Sequence, residues 1–444
     1  MQQIIALFRI DPLSILMMGL ITFITIIVIA FSQRYMSGDR KKNAFYQYVS
    51  IMFLSICTLT SANHMALFLA TWILSNYFLT RLMQHKKEWP EAVASANLAL
   101  KNFVIGSISL LLAFSFLASE SLLISEINFS TLPSWKATIA GFFILIAALS
   151  QSGIWPFHRW LISSLNSPTP VSALMHAGLV NGGGFLLARF AELYFQQSLL
   201  LHLIFIAGIC TAILGTWWKL MQNDIKRMLA CSTMGQMGFM IAECGLGLFA
   251  AAVSHLIWHG IFKAYLFLNS GGGAGEHKLT RSSAKLTDFL IASVIGLFGL
   301  MIFIWVSGRP ILPNDSSLII HLLAWITCSQ GALSLLQSQY PWPTVTAFIP
   351  SALIGAIYAL NLGMVETYLE PLKIQQVQAI SFIHIIAFGF LFFTWLLMIF
   401  AQSSNAKDQH NLRSVWQKKL YVKLLNGSQP YPETVTAHRN HYHY

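Results

Sequence analysis

The chain has 444 residues, of which 56% are hydrophobic and only 10% are charged, with a formal net charge of +11 at pH 7. This composition excludes a single soluble core and indicates a polytopic membrane protein, because apolar runs long enough to cross a bilayer recur through most of the sequence. In such a protein, the positive charge is typical of basic cytoplasmic loops and does not indicate nucleic-acid binding.

Thirteen hydrophobic segments are close to the roughly 20 residues that a membrane-spanning helix needs. They cover residues 14–31, 44–62, 64–83, 102–118, 138–157, 168–189, 198–217, 228–244, 248–270, 287–305, 317–336, 344–364 and 377–401. Pro170 lies inside the sixth segment and predicts a broken helix there. A broken helix is tolerated at membrane depth only where it packs within protein or faces a water-filled cavity.

Basic residues predict the orientation of these segments. If the loop after the first segment is cytoplasmic, that side holds 21 Lys and Arg residues and the opposite side holds five. The remaining basic residue is Lys263, within a segment. The positive-inside rule therefore predicts a multi-pass protein of the inner (plasma) membrane, with its N-terminus outside and its C-terminus in the cytoplasm.

The end of the chain changes character. Residues 1–401 are predicted to form the transmembrane domain. Residues 402–426 are predicted to form a cytoplasmic amphipathic helix, since NLRSVWQKKLYVKLL is basic and suits an anionic lipid surface or a partner protein. The polar residues 427–444, which contain several histidines, are predicted to be a disordered tail.

One stretch combines an apolar composition with ionisable residues. In HLIWHGIFKAYLFLNS, steps of four residues place His255, His259 and Lys263 on one helical face, and Glu243 ends the preceding segment. A charged side chain at bilayer depth costs at least about 2.5–3.5 kcal/mol, so it is kept where it meets partners or water. Histidine titrates at about pH 6.5 when unperturbed and can take and return a proton. These residues therefore predict a proton or cation path.

Three further residues extend this prediction. His176 lies just after the predicted break, and Asp224 and Lys226 lie at the cytoplasmic end of the segment that carries Glu243. The predicted proton pathway comprises Lys263, His259, His255, Glu243, His176, Lys226 and Asp224. In the alternative interpretation, the histidines are hydrogen-bonded packing residues, the lysine extends towards the surface, and Asp224 and Lys226 are solvated loop charges.

Long motifs carry a resemblance to a known family. The stretches PFHRWL, PTPVSALMHAG, NDIKRMLACSTMGQMGFM and HLIWHGIFKAYLFL resemble those of the antiporter-like subunits of respiratory complex I and of Mrp-type cation antiporters. The resemblance covers about residues 9–275. It implies an all-α bundle of about 13 membrane helices with two inverted five-helix repeats. Each repeat would contain a broken helix, and a water-filled polar axis would run along the membrane midplane.

Within this family, LACSTMGQMGFM and NSPTPVSALMHAGLVNGGGFLLAR resemble the DabB branch most closely. DabB is the membrane subunit of a two-component complex that accumulates dissolved inorganic carbon. Its partner, DabA, is a large zinc protein similar to β-carbonic anhydrases. The resemblance therefore implies a hetero-complex at the cytoplasmic face in which the zinc belongs to the partner. This chain would itself be a transport subunit without a cofactor and without enzymatic activity.

The sequence also departs from the complex I pattern. That pattern has a glutamate in the helix over residues 64–83, where this chain offers only Trp72 or Ile73. It also has a lysine seven residues before the motif histidine, and counting back from His158 gives Gln151. No lysine lies mid-segment between residues 287 and 401. The paired Glu–Lys of the first half-channel and the distal lysine of the second repeat are therefore missing.

Three hypotheses follow. In the first, a proton- or Na+-conducting membrane subunit energises a carbonic-anhydrase-like partner for CO2 and bicarbonate accumulation. In the second, the chain is a proton-pumping subunit of a complex I-like or Mrp-type complex, against which the missing Glu–Lys pair counts. In the third, the chain is a structural anchor with an unused polar axis, which is disfavoured because buried charge is costly to keep.

Overall fold

The structure, a computed structural model, describes residues 6–274, 286–337, 343–403 and 415–435. Regular secondary structure in these ranges is helical, and extended backbone occurs only as isolated bridges. The helices are α1 Pro12–Tyr35, α2 Lys42–Ser61, α3 Met65–Met83, α4 Pro90–Leu117, α5 Ser134–Gln151, α6 Thr169–Ala177, α7 Gly182–Arg189, α8 Ser198–Leu220, α9 Ile225–Gly245, α10 Phe249–Leu268, α11 Leu286–Ser307, α12 Leu318–Leu336, α13 Phe348–Leu369, α14 Phe382–Ser403 and α15 Val415–Gly427. Short helical turns lie at Ile124–Glu126, Arg159–Ile162, Leu179–Asn181, Ala191–Tyr194, Ser270–Ala274, Pro343–Thr346, Glu370–Leu372 and Pro432–Thr434.

The predicted membrane segments correspond to helices of the structure. Eleven stretches are long and apolar enough to cross a membrane, and one of them joins α6 and α7. The other two predicted segments correspond to α9, which is less apolar, and to α14, whose apolar part Phe382–Thr394 is shorter. The all-α class and a count of about thirteen membrane helices are therefore confirmed.

Successive spans run in alternate directions, which gives the bundle two ends. The end at which α1 begins is here named the N-terminal face, and the end at which α14 stops is named the C-terminal face. The four isolated β-bridges all join loops at the N-terminal face: Phe8 with Ala62, His64 with Leu123, Leu248 with Gln375 and Asp315 with Ala379. The loops at this face are thus tied to each other by backbone hydrogen bonds.

The predicted span is broken, but the predicted position at Pro170 is wrong: Pro170 lies in the first turn of α6, and a 3-10 turn at Leu179–Asn181 separates α6 from α7, so that His176 lies before the break. Side chains of α5 and its C-cap residue satisfy two carbonyls of this turn. Gln151 Nε2 donates to Leu179 O at 3.2 Å, and Ser152 Oγ donates to Val180 O at 2.8 Å. The resemblance implies a second broken helix in the C-terminal half, but α11 to α14 are each continuous over the bounds given above.

A buried ion pair fixes the start of α1 to the end of α7. Asp11 is the N-cap of α1, where it accepts from Ser14 N at 2.9 Å, and Pro12 occupies the first turn. Arg189 Nη1 and Nη2 both donate to Asp11. Burial opposes ionisation of Asp11, but the Arg189 guanidinium and the hydrogen bonds from Arg189 and Ser14 outweigh it and lower the pKa of Asp11.

Small residues bring α8 and α9 into close contact. A Cβ atom added to Gly215 would collide with the backbone of Gly235, and one added to Gly208 would collide with the backbone around Gly238 and Ala242. Close backbone approach through small residues is a general device of membrane helix pairs. It holds α9, which carries Glu243, at a fixed distance from its neighbour.

The structure describes part of the predicted amphipathic helix and part of the predicted tail. The described part of the helix is α15, whose residues Lys418, Lys419 and Lys423 are exposed, and it ends one residue later than predicted. The segment after it is not free up to residue 435, because Tyr431 N donates to Ser163 Oγ at 2.9 Å and Thr434 O accepts from Asn166 at 2.7 Å. The remainder of the predicted tail lies outside the described residues.

A candidate proton pathway along one helix

Helix α10 occupies the middle of the bundle. It packs against α1, α6, α7, α9 and α13, which bury the side that carries His259 and Lys263, whereas Trp258, Phe262 and Tyr265 are exposed on the opposite side. Gly260 allows the closest approach, since a Cβ atom there would lie 2.8 Å from the Ala177 carbonyl oxygen at the end of α6. The sequence pattern HLIWHGIFKAY therefore places ionisable groups inside protein, with a neighbouring backbone within reach.

Lys263 is the most deeply buried of these groups, with 1% of its surface exposed. Its Nζ donates to Leu229 O on α9 at 3.1 Å, and the same carbonyl accepts from Thr233 Oγ1 at 3.0 Å. An ammonium group has three donors. The other two find no acceptor in the ranges that the structure describes, which leaves them available to water or to a passing proton acceptor.

His255 and Glu243 form a pair near the N-terminal face. His255 Nδ1 lies 3.3 Å from Glu243 Oε2, and the side chains are 17% and 7% exposed. On its other side, His255 Nε2 lies 3.0 Å from Gln236 Oε1. A neutral ring that donates from Nε2 to Gln236 Oε1 would present a lone pair at Nδ1 to Glu243. The arrangement suits transfer of one proton between the carboxyl group and the imidazole.

His259 and His176 are buried histidines with unpartnered nitrogens. Within the described residues, His259 Nε2 and His176 Nδ1 make no hydrogen bond. The His259 ring centroid lies 6.1 Å from that of His255, and His259 is close enough to Lys263, His255 and His176 for electrostatic interaction with each. The His176 ring stacks on Phe267 with a centroid distance of 4.2 Å. We name His176, Glu243, His255, His259 and Lys263 the relay cluster.

At the C-terminal face, two predicted pathway residues have different surroundings. Lys226 Nζ donates to Ser167 O at 3.1 Å in the loop before α6, and Lys226 interacts electrostatically with His176. Asp224 is exposed and is the N-cap of α9, accepting from Arg227 N at 2.8 Å. Lys226 therefore adjoins the relay cluster, whereas the Asp224 carboxylate has a structural hydrogen bond of its own.

The motif histidine His158 lies outside the relay cluster. Its ring packs on Trp218 at 5.0 Å, and its Nδ1 atom finds no partner in the part of the chain described. Burial, reinforced by the neighbouring charge of Arg159, lowers the pKa of His158 to about 4. His158 is therefore neutral at cellular pH, with its ring against Trp218.

Gln151 forms a buried hydrogen-bonded pair with an asparagine, and the sequence did not predict this pair. Gln151 and Asn76 are each 3% exposed and exchange two amide hydrogen bonds, of 2.9 Å from Gln151 to Asn76 and 3.1 Å in return. Gln151 occupies the position where the complex I pattern has lysine, and Asn76 lies on the helix where that pattern has glutamate. We name this pair the amide cluster. It is neutral and hydrogen-bonded.

The structure thus brings His255, His259, Lys263 and Glu243 together, with His176 and Lys226 beside them. Sequence reasoning missed Gln236, which orients His255, and Asn181, whose Nδ2 donates to Ala177 O at 2.8 Å and to Leu256 O at 3.3 Å across the break. Asparagine before three glycines in VNGGG was the available signal for Asn181. Among the described residues, no group of three or more His, Cys, Asp or Glu side chains is arranged to hold a metal ion.

Comparisons with known families agree with the motif resemblance. Residues 61–339, more than half of the chain, match the family described as NADH:quinone oxidoreductase/Mrp antiporter, TM. Residues 3–46 match the N-terminal region of NADH-ubiquinone oxidoreductase (complex I) chain 5. A solved structure of the Mrp complex from Dietzia sp. has a similar fold over 94% of this chain and 52% of that one, with a TM-score of 0.60 and 21% identity.

Individual relatives include proteins named as inorganic carbon transporter subunits. The chain is 34% identical over 351 residues to the probable subunit DabB1 of Halothiobacillus neapolitanus, spanning 72% of this chain and 62% of that protein. It is 29% identical to the probable DabB subunit of Bacillus subtilis over 97% of this chain and 85% of that one. The NADH-ubiquinone oxidoreductase chain 5 of Schizophyllum commune is 32% identical over 64% of this chain and 42% of its own length.

Proposed function

The chain belongs to the NADH:quinone oxidoreductase/Mrp antiporter family of membrane proteins, and on this premise we propose that it conducts protons (or Na+) to energise inorganic carbon accumulation. The likeness to proteins named DabB supports a role as the membrane subunit of a two-component complex. The proposal of conduction rests on the relay cluster, in which one helix holds Lys263 and two histidines inside the bundle.

The proposed path runs from Glu243 to Lys226. A proton on the Glu243 carboxyl group passes to the Nδ1 lone pair of His255, and the imidazolium then returns a proton towards His259. The separation of the two rings, 6.1 Å between centroids, suits transfer through intervening water. Lys263 and His176 continue the path towards Lys226 at the C-terminal face. Each transfer breaks one N–H or O–H bond and forms another, so charge and protons balance.

We place the C-terminal face in the cytoplasm, where the loops hold 21 of the Lys and Arg residues against five on the other side. This face carries Lys226, α15 and the segment that follows it, and it is the docking surface that we assign to a carbonic-anhydrase-like partner. The zinc and its activated water would belong to that partner. The present chain then supplies the cation flux and no hydration chemistry.

The second candidate is a proton-pumping subunit of a complex I-like or Mrp-type complex. The similarity to NADH-ubiquinone oxidoreductase chain 5 favours it. The missing Glu–Lys pair counts against it, because Trp72 or Ile73 and Gln151 occupy those two positions and the Asn76–Gln151 pair carries no titratable proton. Neighbouring genes for iron–sulfur and NADH-binding subunits would support this candidate, and a neighbouring gene for a zinc protein would support the first.

Conduction is tested with Lys263→Gln in the complete complex, purified from native membranes and reconstituted into liposomes with a trapped pH dye. Removing the only ammonium group of the relay cluster is expected to lower proton flux about 100-fold, a usual loss for a proton-transfer group. Lys101→Gln is the matched control, since Lys101 is exposed on the surface of α4. Wild-type flux in Lys263→Gln would overturn the conduction proposal.

The partner is tested separately by purifying the native complex and measuring zinc. A co-purifying zinc protein, together with cellular uptake of labelled bicarbonate that an uncoupler abolishes, is the expected result. A complex without zinc would remove the assignment to inorganic carbon and leave a cation-conducting subunit of the broader family.

A further inference from the structure

The segment after α15 crosses the C-terminal face, and its residues 428–434 are here named the strap. Two polar residues of the strap are almost fully buried, with Ser428 2% and Thr434 1% exposed. Polar residues are buried where the rest of the protein supplies hydrogen-bond partners. The proposed proton path ends at Lys226, on the same face, without using the strap.

One end of the strap is bound to the start of α9 and to the loop that precedes it. Gln222 Nε2 donates to Ser428 Oγ at 2.8 Å. Arg227 Nη1 donates to Gln429 Oε1 at 3.3 Å. Gln222 and Arg227 flank Lys226 in the sequence, so this end of the strap is attached to the chain on both sides of the last residue of the path.

The other end of the strap is bound to the loop before α6. Tyr431 N donates to Ser163 Oγ at 2.9 Å, and the Ser163 side of this contact is fully buried. Asn166 Nδ2 donates to Thr434 O at 2.7 Å. Ser167 follows Asn166 directly, so the second contact fixes the chain one residue away from the carbonyl that accepts the lysine of the path.

Lys226 and the strap therefore join the same two elements, the start of α9 and the loop before α6. Lys226 Nζ donates to Ser167 O at 3.1 Å, and this is the one hydrogen bond that Lys226 makes within the described residues. The Ser167 hydroxyl is buried and has no hydrogen-bond partner in those ranges. A buried hydroxyl that lacks a protein partner is a place where water can bind. The end of the path thus combines an ammonium group with an uncommitted hydroxyl.

We propose that the strap is a positioning element of the proton path, which keeps Lys226 at Ser167 by holding the loop before α6 against the start of α9. One hydrogen bond is worth only about as much free energy as the rotamer freedom that a fixed lysine side chain loses. The contact of Lys226 therefore depends on an acceptor that other bonds hold in place, and the strap supplies two bonds to that loop. This inference rests on the proposed function. It also connects the docking surface assigned to the partner with the end of the path.

Deletion of residues 428–444 tests the strap in the reconstituted full complex. Deletion of residues 436–444 is the matched control, since it leaves every strap contact described above. We expect the first deletion to lower proton flux per complex about 10-fold, less than the removal of a proton-transfer group itself, and the second to leave it unchanged. Flux is also measured with Lys226→Gln alone and with Lys226→Gln in the shortened chain. If the strap acts through Lys226, its removal has no further effect on Lys226→Gln.

Asn166→Leu tests the strap without shortening the chain, and it replaces the deletion if the shortened chain does not assemble. Leucine is similar in size to asparagine but cannot donate to Thr434 O. We expect flux to fall about 5-fold, the equivalent of one hydrogen bond. Asn166→Gln keeps an amide donor and is expected to recover wild-type flux.

Chemical labelling measures the position of Lys226 independently of flux. The full complex is treated with acetic anhydride, and acetylation of Lys226 is compared by mass spectrometry with that of Lys87, which is exposed on the same face. The hydrogen bond to Ser167 slows the reaction, so we expect about 5-fold faster relative labelling of Lys226 in Asn166→Leu and in the 428–444 deletion.

The outcomes separate this inference from the proposed function. Wild-type flux in both Asn166→Leu and the 428–444 deletion, unchanged labelling of Lys226, or a flux loss that persists in Lys226→Gln would each overturn the inference alone. Faster labelling of Lys226 together with wild-type flux in Lys263→Gln would overturn the proposed function, and the strap would then position a lysine that conducts nothing.

Discussion

The relay cluster and the amide cluster are both buried polar groups of one helical bundle, but their atoms are satisfied in different ways. In the amide cluster, Asn76 and Gln151 bond to each other and Gln151 also bonds to the Leu179 carbonyl. In the relay cluster, Lys263 has one hydrogen bond and two imidazole nitrogens have none among the described residues. Buried polar atoms are costly without partners. The amide cluster therefore stabilises the bundle, whereas the relay cluster keeps unsatisfied polar atoms at a cost in stability, as the proposed proton exchange requires.

A substitution of His259 tests the contrast between the two clusters most directly. In His259→Leu, a side chain of similar size replaces the imidazole and removes a buried nitrogen without a partner. We expect proton flux in the reconstituted complex to fall about 100-fold, because the path loses a proton carrier. We also expect the free energy of unfolding to rise by about 1 kcal/mol, since one unsatisfied polar atom is gone. Thermal unfolding of the purified complex measures the second effect.

His202→Leu is the matched control for this change. His202 is partly buried, but its Nε2 atom lies 3.1 Å from Ser381 Oγ, so its polar atom is satisfied. We expect a lower melting temperature and normal flux. A His259→Leu variant that melts earlier than wild type and still conducts would show that His259 is a packing residue.

The contrast between the two clusters could be foreseen only in part. Steps of four residues along α10 predicted that His255, His259 and Lys263 share a face, because helical periodicity is local. The proline and glycine residues of PTPVSALMHAGLVNGGG predicted a broken span but placed the break at Pro170, whereas a proline in the first turn of a helix leaves that helix intact and the break follows Ala177. The partners on other helices could not be foreseen. These partners depend on packing between segments far apart in sequence. They are Gln236 for His255, the Leu229 carbonyl for Lys263 and Asn76 for Gln151.

The end of the chain shows the limit of reasoning from composition. Its polar residues predicted a disordered tail, yet Tyr431 and Thr434 are held by hydrogen bonds to the loop before α6. A backbone N–H and a backbone C=O make these two contacts, and backbone groups are present in any sequence. Polarity alone therefore could not distinguish a free segment from one fixed at the C-terminal face.

A smaller effect is expected from the amide cluster. Gln151→Leu leaves the Asn76 amide and the Leu179 carbonyl buried without partners, and each such group costs about 1–3 kcal/mol. We expect a lower melting temperature of the purified complex. Flux per assembled complex should match that of wild type, because the cluster carries no exchangeable charge. Both quantities are measured on the same reconstituted sample.

Gln84→Leu controls for the loss of an amide pair as such, since Gln84 Nε2 donates to Asn97 Oδ1 at 3.3 Å at an exposed site. Its effect on the free energy of unfolding is expected to stay within about 0.5 kcal/mol. If Gln151→Leu instead stops conduction as Lys263→Gln is expected to do, the amide cluster belongs to the path and the contrast between the clusters fails.

The smallest effect is expected at Asp224, where the charge predicted from sequence to join the path is the N-cap of α9. Asn caps a helix about as well as Asp, so Asp224→Asn should change neither flux nor melting temperature. Asp224→Ala removes the acceptor for Arg227 N and should lower the free energy of unfolding by about 1 kcal/mol with normal flux. Reduced flux in Asp224→Asn at an unchanged melting temperature would place the carboxylate in the pathway. The variant is informative because an amide preserves the helix cap and removes only the charge. Such a result would extend the relay beyond Lys226 into the loop at the C-terminal face.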